Sequence, residues 1–166
     1  MSRLVVNIQV YEDFEEAVSA SGLRRIATRA LRVGGAADAA RLDVFVADDE
    51  VVRDLNERYR GLDETTDVLS FSFTHEGEYQ GEREAPEAAD GDMDFPVPPG
   101  TDRSLGEVII SYPQAERQGE LAGHGTEREL SILLAHGVLH LLGHDHETPL
   151  EATLMKRLET MALHKA

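Results

Sequence analysis

With 166 residues the chain is long enough for one domain that buries about 70% of its unfolded surface. The absence of cysteine excludes a disulfide framework and thiolate metal ligands, so any transition metal must be held by imidazole and carboxylate. A net charge of −16, from 32 acidic and 16 basic residues, disfavours nonspecific adhesion to nucleic acid or to anionic membrane.

The N-terminal apolar run is too short and too soon charged for a signal peptide, and no stretch approaches the roughly 18 apolar residues of a membrane span. A cytoplasmic protein without a membrane partner is expected. Leu4 to Val10 alternates and is β-branched, predicting a strand; Glu12 to Val33 carries helical spacing and stops at Gly34 and Gly35. Leu42 to Ala47 predicts a second strand. Asp49 to Arg60 predicts a second helix with acidic residues at its start and Gly61 just past its end. Asp67 to Phe73, DVLSFSF, is the third strand, and this βαβαβ order predicts parallel neighbours joined by right-handed crossovers.

Residues 74–104 break the order, with four of the six prolines, four glycines, and 9 acidic against 2 basic side chains. Such a stretch reads as a solvated loop, the alternative being an autoinhibitory or partner-binding lid. Residues 24–60 instead hold 8 Arg against 7 acidic residues, so a phosphate is expected to meet that region. Leu105 to Ser111 gives a fourth strand, followed by a short helix opening near Pro113. Thr126 and Glu129 form a capping-box pattern before a helix that is apolar nearly all round from Leu130 to Leu142, as a buried central helix must be. Thr148, Pro149 and Glu151 open the last helix. Its Leu150, Leu154, Leu158 and Met161 lie at packing spacing, and Met155 and Met161 are read as core.

Residues 136–146, HGVLHLLGHDH, place His136, His140, Gly143 and His146 at a spacing expected by chance roughly 0.001 times in a chain of this composition. Two histidines four apart share a helical face, Gly143 permits a turn, and His146 returns to close a three-histidine site. A lone buried imidazole bonded to a carbonyl would need no metal. Two on an otherwise apolar helix are harder to satisfy, and a shared zinc or similar divalent ion serves both. Three protein ligands leave a fourth position for water, which favours catalysis over a purely structural ion. Asp145 is a candidate to orient a ligand imidazole, and His144 to face solvent or substrate; His75, His124 and His164 read as surface residues. Metzincin proteases share the spacing but carry glutamate as general base where this chain has Gly137. A helical glycine costs about 1 kcal/mol relative to alanine, which points to close approach by a substrate or a packed strand.

Together with LNERYRGLDETTDVLSFSF at residues 55–73 and LGEVIIS, the histidine motif resembles the YbeY family of bacterial endoribonucleases, from about Leu42 to the C-terminus. The resemblance implies an α+β fold: a small mixed four-stranded sheet flanked by about five helices, with a buried central helix carrying the histidines. It also implies one Zn2+ per chain held by His136, His140 and His146, and activity on single-stranded RNA in ribosomal RNA maturation at the 16S rRNA 3′ end, with the ribosome rather than DNA as partner. Arg60 matches the family's functional arginine, and guanidinium suits phosphate because it stays charged and donates bidentate hydrogen bonds. The plainer reading has Arg60 offsetting the negative helix end, with Asp63 as a surface partner. His144 stands where the family usually has tyrosine, Ser72 where it has proline and Glu107 where it often has aspartate. Arg25, Arg29 and Arg32 form a helical stripe that would either track an RNA backbone or line a solvated face. The rival functions are a zinc-dependent hydrolase of peptides or other esters, and a ribosome-assembly factor with structural zinc.

Overall fold

The computed structural model describes residues 3–36, 39–72 and 103–164. These form β1 (Arg3–Val10), a 3-10 turn (Glu12–Phe14), α1 (Ala20–Val33), β2 (Ala39–Ala47), α2 (Asp49–Arg60), β3 (Val68–Ser72), β4 (Arg103–Ser111), α3 (Tyr112–Ala122), α4 (Thr126–Leu141) and α5 (Pro149–Leu163). The sheet runs β1-β2-β4-β3, with β1, β2 and β4 parallel and β3 antiparallel to β4. An α+β fold with a mixed sheet is therefore present, as the family resemblance implies.

Strand alternation sorts the core into two faces. Leu42, Val44 and Val46 of β2 and Val108 and Ile110 of β4 pack with Leu23, Ala27, Ala30 and Leu31 of α1 and with Leu130, Leu134 and Val138 of α4. On the other face, Ile109 and Leu69 join Val52 of α2, with Phe45, Leu55 and Phe71 against them. That second cluster explains why the expectation of parallel neighbours fails at β3. Instead of serving as a crossover to a strand beside β2, α2 hands the chain to the far edge of β4, where β3 completes the cover of α2's apolar side.

The first helix begins at Ala20, not Glu12, because the Ser19 hydroxyl accepts from the Gly22 amide at 3.1 Å and starts a new helix there. Nor does the capping box form on α4. Gly125 occupies the cap position and Thr126 lies in the first turn, while the Glu129 carboxylate is taken by His124 Nε2 at 2.7 Å. In α5 the inward face is Met155 and Leu158, seated against Leu139 and Val33, with Ala162 joining the main core, and the expected core residues Leu150, Leu154 and Met161 are 82%, 49% and 50% exposed. The acidic stretch lies outside the described residues from 73 to 102; Arg103 and Ser104, read as its end, belong to β4.

Candidate metal centre

Helix α4 positions His136 and His140 on one face, while its Leu130, Leu134, Val138 and Leu141 are buried against the sheet and α1. At Leu142 the helix stops, and Gly143, at φ 95, turns the chain so that His146 comes back over the helix end. One ring nitrogen from each of His136, His140 and His146 then falls within 4.8 Å of the other two. The spacing read from the sequence thus brings together the three residues it named.

Nε2 of His136 faces Nε2 of His140 at 2.9 Å, and Nδ1 of His136 lies 2.6 Å from Oε1 of Glu159 on α5. A carboxylate oxygen at that distance suits a hydrogen bond from Nδ1–H, the tautomer that leaves Nε2 of His136 a lone pair toward the cluster. Burial, then the neighbouring charges of His136 and His146, push the His140 imidazole down to about 4 from 6.5, which keeps it neutral and able to donate a lone pair. A cation holding imidazole nitrogens at about 2.0–2.1 Å in a tetrahedron needs them roughly 3.3 Å apart, and here His136 and His140 face each other at 2.9 Å with all three nitrogens within 4.8 Å. The donor set therefore fits a divalent transition metal, and an all-imidazole site suits zinc, copper, iron or nickel better than magnesium or calcium.

Beside the cluster lies a cavity of about 210 Å3 whose walls include Arg60, Asp67, Ser70, His136, Gly137 and His140. Arg60 occupies the last turn of α2, where Gly61 closes the helix at φ 71. Its Nε is buried with no hydrogen-bond partner among the described residues, an orphaned cationic donor beside the cavity. The surface-partner reading of Arg60 fails, because Asp63 pairs with Arg53 at 2.7 Å, which holds the Asp63 carboxyl below its usual range.

Gly137 is explained by strand packing. A Cβ there would meet Val108 Cγ1 at 2.9 Å, Ser70 Oγ at 3.1 Å and Val68 Cγ2 at 3.2 Å. His144, despite lying between the ligands in sequence, points away and donates from Nε2 to the Gly34 carbonyl at the end of α1, at 2.9 Å. Asp145 accepts from the His146 amide at 2.7 Å, steadying the loop. Glu159, not Asp145, is the carboxylate bonded to an imidazole of the cluster, 2.6 Å from His136 Nδ1, and only tertiary structure brings α5 to that place. His124 is exposed, as read, and its Nε2 lies 2.7 Å from the buried Glu129 carboxylate. In the arginine stripe Arg29 donates to the His164 carbonyl and so ties α1 to the end of α5, which leaves Arg25 and Arg32 as its exposed members. Glu107 lies in β4 paired with Asp43 of β2, and burial followed by the Asp43 charge raises its carboxyl above the ordinary range.

The sequence model of a family described as Endoribonuclease YbeY matches residues 6–166, well beyond the Leu42 start that the motifs indicate. A protein of Dehalococcoides mccartyi named Endoribonuclease YbeY is 43% identical over 158 residues, covering 95% of this chain and 90% of its own length. One of the same name from Roseiflexus castenholzii is 36% identical over 163 residues, covering 98% of this chain and 92% of its own. A Thermotoga maritima protein solved in solution shares the fold at 19% identity, with a TM-score of 0.56 over 95% of this chain and 89% of that one. The matching sequence, sheet and histidine cluster together show that the chain belongs to the YbeY endoribonuclease family.

Proposed function

We propose that this chain is a metal-dependent endoribonuclease that cuts single-stranded RNA, acting on ribosomal RNA precursors toward the 16S 3′ end. The observation that carries this reading is the juxtaposition of Arg60 with His136 and His140 around one cavity, the guanidinium Nε buried and unpaired among the described residues. Arg60 lines that cavity, so a phosphodiester there would meet its guanidinium, which would hold the phosphate and stabilise the charge that builds on it during cleavage. His136, His140 and His146 would hold the metal, for which zinc is proposed. When bound, the cation supplies Lewis acidity beside the phosphate. Glutamate-based peptide hydrolysis is disfavoured by the packing at residue 137, where even a Cβ meets β3 and β4.

The remaining proposals rest on family membership: residues 1–166 as a single domain with an acidic insertion, the cytoplasm as location and the ribosome as partner. No helix among the described residues is long and apolar enough to cross a membrane. The test is cleavage of single-stranded and duplex RNA by the purified chain, with chelator and with zinc restored. Zinc-restored cutting of the single strand alone is expected. Intact RNA under conditions where an active control cuts it would refute the reading, and unfolding by chelator would favour a structural ion instead.

A further inference from the structure

Glu159 stands outside every sequence motif, yet its carboxylate makes one of the shortest side-chain contacts near the histidines, 2.6 Å to Nδ1 of His136. At that length the bond is charge-assisted. The two nitrogens of an imidazole diverge, and the other nitrogen of His136 faces His140, so Glu159 sits on the far side of the ring from the cluster. It is therefore badly placed to be a ligand itself. Its own position is well determined: Met155, Leu158 and Ala162 on the same helix are buried in the core, and the Glu159 side chain is only 22% exposed. His136 thus cannot turn its ring over without breaking this bond, and neither can α5 slide without unseating its apolar face.

We propose that Glu159 is the positioning residue of the metal centre, accepting the Nδ1 proton of His136 and thereby fixing its Nε2 as the lone-pair donor toward the cation. This rests on reading the three histidines as a metal site. An imidazole held in the ligating tautomer and orientation loses less freedom on binding, and the adjacent negative charge raises its basicity toward the metal. Carboxylates in this role contribute about 10–100-fold in metal affinity.

Two measurements on the full chain test it, with the wild type compared with Glu159→Gln and Glu159→Ala. The first is the imidazole 15N pattern of the metal-free protein, read without any metal or activity. Wild-type His136 is expected as the Nδ1–H form, retained in Glu159→Gln, whose amide oxygen can still accept, and lost to a mixture in Glu159→Ala. The second is zinc affinity by competition with a chromophoric chelator: Glu159→Ala should weaken it about 10–100-fold and Glu159→Gln by less. A carboxylate with a merely structural role would lower the melting temperature without moving either readout. Should Glu159→Ala fail to fold, Glu159→Leu, which keeps much of the side-chain volume and removes the acceptor, decides, and affinity within twofold of wild type overturns the proposal. A wild type that takes up no zinc removes the metal reading and the proposal with it. A zinc-binding wild type unchanged by Glu159→Ala removes the proposal alone.

Discussion

Ser70 Oγ donates to the carbonyl oxygen of Gly137 at 2.9 Å, so strand β3 grips α4 at the residue that follows His136. The absence of a side chain at 137 permits that approach, since an added Cβ would lie 2.9 Å from Val108 Cγ1. Gly137→Ala removes about 1 kcal/mol of helix penalty but overpacks a β-branched neighbour, typically at a cost of about 1–3 kcal/mol. A net loss of stability is expected, read as a melting temperature lower by a few degrees. An unchanged or higher value would show that Val108 can yield and that the strand contact does not set this position.

The bond from His144 to the Gly34 carbonyl makes a different prediction from a ligand role. His144→Ala should keep one metal per chain by elemental analysis while losing about 1 kcal/mol of stability, the net worth of a typical hydrogen bond. Loss of the metal would mean that His144 competes at the centre after all.

Acid should destabilise the metal-stripped protein in a definite window. His140 is held at about 4 in the fold against an ordinary 6.5, chiefly by burial. Between those values the unfolded chain binds a proton at this residue that the folded chain does not, so stability is full above the upper value and falls as pH drops toward the lower one. Denaturant midpoints measured at about pH 7.5 and about pH 4.5 should diverge in the wild type and converge in His140→Gln. Equal divergence in both would place the acid sensitivity elsewhere.

The triad was legible in the sequence because its information is local: four residues apart on one helix, then a glycine turn and a return. Arg60 was legible as a residue but not as a partner, because only the tertiary structure shows Asp63 already committed to Arg53 and the guanidinium beside the histidines. Glu159 carried no local signal; α5 must dock before its carboxylate meets His136. On that helix, leucines at helical spacing occupy two faces, and which face turns inward is decided by the groove formed by Val33 and Leu139. The direction of β3 was equally hidden, since it depends on where α2 finds apolar cover and not on the order of elements.

On the proposed function, Arg60 and the three histidines act on one phosphodiester with separable roles. The most direct measurement pairs metal content with single-stranded RNA cleavage for wild type, His136→Ala and Arg60→Ala. His136→Ala should lose metal and cleavage together, whereas Arg60→Ala should keep one metal per chain and lose about 10²–10³-fold in cleavage rate, the usual cost of removing one charge-stabilising donor. Arg60→Ala protein that cleaves at the wild-type rate would contradict the account.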